Sequence, residues 1–422
     1  MSGMTRLTLM FVVFVDLIGQ GLVFPIVNAL IMEPGADFLP ESTSLGTREF
    51  YYGLVIGTFF LAWFLGVVYI ARLSDSIGRR NALLICLGGA LVGYALTIAA
   101  LYLDSLWLLI LGRAITGFTA GNQPIAQAAV IDGSRDPIER DRNMGYLVTG
   151  ISLGLVGGPI IGGLLSDKQL LGDIASLNLP FYAAFAMTAA AMLLVLVYFR
   201  DLKIERARFV FRPRDIVDGF LRIAKFPTVM RIMPVYALLM LTNLTIYVFI
   251  DNYLTAAFGY GEIGGSAAMV TIGAAIAIAG TFLVKPAQQH FGKQQIVGAT
   301  LVVMALCAIA AILAPVAWLV FPPLFIFYLF FGVAYPTLLG IFSGGVEPKE
   351  QGWVMGVTTA VFCLEGGIMS LIGGGLMSID MHLPYVLGAI FGLLGFVTML
   401  ATWRTPMMRG LTARVGAVAQ AA

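Results

Sequence analysis

Residues 150–165 read GISLGLVGGPIIGGLL, an apolar stretch with glycine at 150, 154, 157, 158, 162 and 163 and proline at 159. Inside a helix glycine is about 1 kcal/mol and proline about 3 kcal/mol worse than alanine, so this clustering needs a physical reason. Composition supplies it. Of 422 residues, 59% are hydrophobic and 11% charged, where a soluble domain carries about a quarter charged residues. Too little charge remains to cover a water-exposed surface, so the stretch belongs in a membrane, where small residues let helices pack closely. Gly150, Gly154, Gly158 and Gly162 recur every fourth residue and line one helix face. Pro159 removes the hydrogen bond to the carbonyl of Leu155 and tends to kink the helix.

The pattern repeats along the chain. Apolar runs of about 20 residues or more, enough to cross a hydrocarbon core of about 30 Å, recur near 7–32, 50–71, 81–102, 106–131, 143–165, 180–199, 230–256, 264–284, 294–314, 317–341, 352–376 and 383–403. Twelve spans predict an all-α integral membrane protein. The first run is too long for a signal h-region and lacks an A-x-A site, so it reads as a retained span. With an inside N-terminus, Arg48 and Lys168 fall outside and Arg113 within a span, while every other one of the 25 Lys and Arg falls inside. That asymmetry predicts cytoplasmic termini. The net charge of +2 therefore carries no argument for nucleic acid. The run Arg200, Lys203, Arg206, Arg208, Arg212, Arg214 reads as a topology anchor and anionic-lipid contact.

Cys86, Cys307 and Cys363 sit in apolar spans without metal-ligand spacing, and His290 and His382 stand apart from any Cys or His. No disulfide, metal or cofactor is expected. Nothing has the form of a nucleophile elbow, a P-loop or a HExxH helix, which argues against an enzyme or an ATP-driven pump. The energy is expected from an ion gradient.

The chain also repeats itself internally. SDSIGRRNALL at 74–84 follows the second span and QQHFGKQQIVG at 288–298 follows the eighth, while GGLLS at 162–166 has a counterpart in GGLMS at 374–378. Two six-span halves are the simplest architecture: residues 1–199 and 230–404, joined by a basic linker over 200–229 and followed by a cytoplasmic tail over 405–422.

Four segments carry a resemblance. ARLSDSIGRR, Ala71 to Arg80, is similar to the loop 2–3 motif A of the major facilitator superfamily, G-x-L-a-D-r-x-G-r-k, through Leu73, Asp75, Gly78, Arg79 and Arg80; Ala71 replaces the opening glycine and Ser76 a usual basic residue. LGRAITG, with Arg113 and Gly117, resembles motif B, and DLIGQGLVFP, Asp16 to Pro25, resembles the first-span motif of twelve-span drug/proton antiporters. The stretch at 150–165, including Gly163, resembles motif C, G-x-x-x-G-P-x-x-G-G, seen mainly in exporters. Similarity to tetracycline-type and multidrug efflux proteins covers the whole chain in topology and most of the first half in motifs.

That resemblance implies roles. Motif C in span five would pack against span eight, where Gly273, Ala274, Ala275, Ala277 and Gly280 offer small partners. Asp75, Gly78, Arg79, Arg80 and Asp132, the acid that ends span four, would form a cytoplasmic latch that rearranges as the halves rock. Charges at membrane depth stand out from the residues alone, because each is disfavoured by about 2.5–3.5 kcal/mol: Asp16, Arg113 and Glu365. Asp251, nearer a span end, reads as interfacial. Asp16 is expected to carry the proton, with Arg113 its regulator or its permanent ion-pair partner. Gln20, Asn122, Gln123, Gln127, Asn243, Thr245, Tyr247 and Glu365 are expected at a substrate cavity, since the resemblance places them on cavity-lining spans. The expected protein is a monomeric, multi-pass secondary transporter of a bacterial inner membrane, in contact with lipid, exporting a small molecule against inward proton flow. An importer of the same fold and a non-transporting membrane receptor are the alternatives.

Overall fold

A computed structural model describes residues 2–33, 36–166, 171–200, 214–260, 262–347 and 350–413. Lys168, Lys349, positions 201–213 of the expected linker and 414–422 of the expected tail lie outside the described residues. The first part of the chain forms α1 (Gly3–Met32), α2 (Leu45–Ile77), α3 (Arg79–Tyr102), α4 (Leu106–Phe118), α5 (Asn122–Gly133), α6 (Pro137–Ser166) and α7 (Leu179–Tyr198). There follow α8 (Arg214–Leu221), α9 (Pro227–Phe258) and α10 (Glu262–Ile278), which runs through a π turn at Ala279–Leu283 into α11 (Val284–His290). The remainder is α12 (Lys293–Ile312), α13 (Phe321–Gly344), α14 (Gln351–Met377), α15 (Leu383–Thr402) and α16 (Pro406–Thr412). The described residues contain no strand, as the sequence predicts.

Among the described residues, eleven helical segments are long and apolar enough to cross a membrane. The twelfth expected crossing, 106–131, is broken into α4 and α5 at Thr119, Ala120 and Gly121. The cause is local. Pro124 has no N–H to donate to the carbonyl of Ala120, and its ring would collide with that carbonyl in a continuous helix. The chain turns instead: Ala120 N–H donates to Gly117 O at 3.0 Å and Gly121 N–H to Thr119 O at 2.8 Å, while Thr119 Oγ1 donates to Ile115 O at 2.8 Å. Pro25, Pro159, Pro234 and Pro336 sit inside helices that continue past them.

Serines begin three of the helices, with Ser2, Ser44 and Ser105 accepting from the N–H of Thr5, Thr47 and Leu108. At the other extreme there is no loop at all. Gly78, at φ 96°, both ends α2 and begins α3; a side chain is strained at that angle, so glycine is what allows Arg79 to follow α2 directly.

Contacts divide the chain into two compact units. The first comprises Met1–Arg212, Tyr260–Val270 and Ser370–Ser378, that is, the first six crossings with the start of α10 and the end of α14. Within it the glycine face of α6 is filled by α1. A methyl on Gly154 would stand 2.5 Å from Phe14 O, one on Gly158 2.8 Å from Ile18 O, and one on Gly162 3.2 Å from Leu22 Cβ, while one on Gly150 would strike Met10 O. The fourfold spacing on α6 therefore meets a fourfold spacing on α1. Gly21 returns the contact by seating the Pro159 ring. Four of the motif C glycines thus face α1. On the next face round, a methyl on Gly163, also part of motif C, would lie 2.6 Å from Ser266 Oγ, near the start of α10 in span eight; Gly273, Ala274, Ala275, Ala277 and Gly280 lie further along that span, in the part grouped with the second unit. GGLMS behaves likewise: a methyl on Gly374 would lie 2.6 Å from Glu49 O on α2, and one on Gly46 3.2 Å from Ser378 Cβ.

The second unit comprises Pro213–Gly259, Thr271–Met369 and Ile379–Ala422. Here α9 lies on α15, and a methyl on Gly392 would stand 2.9 Å from Leu301 O of α12. The side chain of Trp403, fully buried, donates from Nε1 to Arg231 O at 3.1 Å. Tyr236 joins α9 to α14 by donating its hydroxyl to Thr358 O at 3.1 Å.

Candidate functional site

In the first unit the break in span four positions the polar chemistry. Asn122 opens α5, is 2% exposed, and donates from Nδ2 to Asp16 Oδ1 at 3.0 Å. Its own Oδ1 is buried without a hydrogen-bond partner. Asp16 is half-buried midway along α1, between Phe14 and Ile18, whose carbonyls touch the α6 glycines. The α1–α6 seam thus fixes the carboxylate in place. Gln20, Gln123 and Gln127 are half-buried as well.

Arg113 does not join Asp16. It is 4% exposed in α4, with its guanidinium 4.2 Å from the centroid of the Phe59 ring and Nε lacking a hydrogen-bond partner. A desolvated guanidinium over an aromatic face gains about 2 kcal/mol. Tyr94 and Tyr52 are among its near neighbours. Tyr94 also reaches α1, its hydroxyl occupying the space a methyl on Gly19 would need. The alternative of a permanent Asp16–Arg113 ion pair is therefore corrected: Asp16 is bonded by Asn122 and Arg113 lies over Phe59.

At the opposite end of this unit the motif A residues assemble. Arg79 Nη1 lies 2.6 Å from Asp75 Oδ1 and donates to Ser74 Oγ at 2.5 Å, while its Nε donates to Asp132 Oδ2 at 2.9 Å. One guanidinium so bridges the end of α2 and the end of α5. Arg80 is directed elsewhere, donating from Nη2 to Leu196 O at 2.7 Å in the last turn of α7. Asp75, Arg79 and Asp132 of the expected group are thus joined through one guanidinium. Arg48, counted among the outside residues, is a structural anchor at 3% exposed, donating to Ile31 O, Pro40 O and Thr43 O.

In the second unit the Tyr236–Thr358 bond sets a register. Asn243 and Glu365 each lie seven residues beyond it, on α9 and α14, which cross in the same direction as spans seven and eleven. Seven residues are two helical turns, so Asn243 lies on the Tyr236 face of α9 and Glu365 on the Thr358 face of α14. Asn243 is 5% exposed with Oδ1 unpartnered, and Glu365 Oε2 is buried without a hydrogen-bond partner. Thr245 is fully buried and bonds Thr242 O at 2.8 Å, which makes it a packing residue. Tyr247 is half-buried. Asp251, expected at the interface, is 1% exposed in the protein interior.

Tyr52, Tyr94 and Tyr236 escape sequence reasoning, because a tyrosine in an apolar span has the composition of an ordinary packed residue. Glu49 and Asn252 escape it too, at 2% and 1% exposed. The signal that marks Glu49 and Asn252 is buried polar atoms without hydrogen-bond partners, which only coordinates reveal.

A model of the Major Facilitator Superfamily matches residues 9–370. The tetracycline resistance protein of class C from Escherichia coli is 29% identical over 83% of this chain and 84% of its own length. The quinolone resistance protein NorA of Staphylococcus aureus is 23% identical over 93% of this chain and 95% of its own. Among solved structures, the human organic anion transporter MFSD10 superposes with a TM-score of 0.72 at 19% identity, covering 94% of this chain and all of that one. A D-xylose–proton symporter superposes with a TM-score of 0.75 at 14% identity over 97% and 99% of the two chains. The halves in repeat, the twelve crossings and the family match over most of its length agree: the chain is a multi-pass membrane transporter, not an enzyme, and it belongs to the Major Facilitator Superfamily.

Proposed function

We propose that the protein exports a small organic molecule of the antibiotic or drug class from bacteria, driven by protons returning through the same chain. In this reading it is a plasma-membrane monomer with cytoplasmic termini that works by alternating access, with 1–199 and 230–404 as its halves. The single observation that carries the proton part is the Asp16–Asn122 bond beside the break in span four. An amide suits both protonation states: its NH₂ donates to the carboxylate, and its carbonyl, turned round, accepts from the protonated acid. Each exchange asks the start of α5 to adjust, and a broken helix yields more readily than a continuous one. Proton occupancy of Asp16 is thereby tied to the position of α5, whose far end carries Asp132 and its contact with Arg79.

Export is supported by motif C and by the resistance functions named for relatives that align over most of this chain. Asn243 and Glu365 supply buried acceptors without partners, so the favoured cargo carries hydrogen-bond donors or a cationic group. Gln20, Gln123, Gln127 and Tyr247 line the cavity in this reading.

The test uses everted membrane vesicles and a fluorescent drug panel. Wild-type vesicles accumulate cargo under an imposed pH gradient and release it when a protonophore is added. Asp16→Asn folds, exchanges cargo down its gradient and no longer responds to pH. Normal proton-driven accumulation by a folded Asp16→Asn protein removes Asp16 from the mechanism, and accumulation only in right-side-out vesicles makes the protein an importer.

A further inference from the structure

We infer that the linker ends in a clasp: Arg222, held on Glu350 and Trp353, ties the start of α9 to the start of α14 and governs the opening between those two helices. The contacts come from one short stretch. After α8 the chain makes a single 3-10 turn at Arg222–Lys225, and α9 begins at Pro227. Arg222 Nη2 donates to Glu350 Oε1 at 2.8 Å and lies 2.7 Å from Oε2, so one nitrogen serves both carboxylate oxygens. Its guanidinium stands 5.1 Å from the centroid of the Trp353 ring, inside the limit of about 6 Å for attraction between a cation and an aromatic face. Trp353 Nε1 donates to Gly219 O at 3.3 Å, and its ring lies 5.1 Å from that of Phe226. Gly219, Arg222 and Phe226 therefore close on one indole in the first turn of α14. Glu350, which immediately precedes that helix, is buried, and a buried charge is held in place by its partner.

The first unit shows what the clasp replaces. There α1 and α6 are sealed by glycines that meet backbone. The corresponding spans of the second half are α9 and α14, and GGLLS and GGLMS set the two halves 212 residues apart. At that offset Phe362 and Ser370 stand where Gly150 and Gly158 do. Ser370 O and Gly374 meet α2 instead, at Gly53 and at Glu49 O, while a methyl on Gly352 or Gly356 would meet nothing within 4 Å. The repeat of motif A offers no substitute, since 288–298 contains no acid and Gln289 stands where Asp75 does. The start of α14 thus depends on the linker. Just inside the clasp Tyr236 bonds Thr358 O, and Asn243 and Glu365 follow along the same two helices, so the clasp controls the way to these acceptors. That last step rests on the cargo reading above; the clasp itself does not.

Two native thiols test it. Cys363, fully buried on α14 two residues before Glu365, reports the opening, and Cys307 on α12 is the control. The purified full-length protein is treated with a hydrophilic maleimide, and labelling is followed peptide by peptide by mass spectrometry. Arg222→Gln and Glu350→Gln should each label Cys363 about 5-fold faster than wild type, which is about 1 kcal/mol at about 1.4 kcal/mol per tenfold. The two together should add nothing further, because each removes the same pair. Unchanged labelling of Cys363 in the single variants, additive effects in the double variant, or equal acceleration at Cys307, which marks general loosening, each overturns the clasp. In everted vesicles Arg222→Gln should slow pH-driven drug uptake several-fold at unchanged drug affinity. Faster labelling of Cys363 with normal uptake overturns control of the cargo path. A wild-type protein that moves no drug refutes the export reading instead, and the labelling rates then decide the clasp alone.

Discussion

Alanine placed along one face of α6 should separate tight packing from mere glycine content. At Gly158 a methyl would stand 2.8 Å from Ile18 O, 3.1 Å from Gly21 Cα and 3.2 Å from Ile18 Cα, against about 3.5–4.0 Å for carbon atoms in ordinary contact. All three neighbours are backbone, so no rotamer change relieves the clash and α1 must move away from α6. At Gly145, on the same helix, a methyl meets nothing within 4 Å, and at Gly157 its nearest neighbour is Phe14 Cε2 at 3.9 Å. All three substitutions gain the same helix propensity of about 1 kcal/mol, so comparing them isolates the clash. Overpacking of this kind costs about 1–3 kcal/mol, and Gly158→Ala should be less stable than Gly145→Ala by that amount. Reversible unfolding in mixed SDS micelles, read by tryptophan fluorescence, measures it. Gly158→Leu should further lose transport, because shifting α1 displaces Asp16 from Asn122. Equal stability of Gly158→Ala and Gly145→Ala would refute the packing argument, and normal transport by Gly158→Leu would refute its link to Asp16.

Three other substitutions probe separate parts of the molecule. Arg79→Gln removes the bridge between Asp75 and Asp132, whose side chains are 51% and 33% exposed; exposed pairs contribute about 0–1 kcal/mol, so stability should barely change while turnover slows several-fold, and a matching loss of drug binding would give the bridge a different role. Pro124→Ala restores a donor for the carbonyl of Ala120, so amide hydrogen exchange over 118–124 should slow and pH-driven transport should fall; unchanged exchange would mean that proline does not cause the break. Glu365→Gln keeps the shape of the side chain and removes its charge, so selection among cationic and neutral drugs should change with proton coupling retained, which competition assays in vesicles measure; complete loss of coupling would move the proton site to the second unit.

The crossings, their number and the split into similar halves follow from the sequence alone, because a hydrocarbon core about 30 Å thick demands apolar runs of a given length whatever their partners are. The bend at 119–121 was not legible: the run 106–131 reads as one span, and a proline does not by itself mark a break, since Pro25, Pro159, Pro234 and Pro336 sit inside helices that continue. Local chemistry made Gly78, Arg79 and the four-residue glycine period visible, because each depends on neighbours a few positions away. Partner choice was not visible. The glycine face of α6 would suit any helix with small or accessible backbone, and it is the packed structure that sets Met10, Phe14, Ile18 and Leu22 against it. In the same way Asp16 and Arg113 look like an obvious pair in a list of membrane charges. Tertiary packing instead gives Asp16 to Asn122 and Arg113 to Phe59, because side chains on different helices meet according to helix rotation and depth, which no single helix encodes.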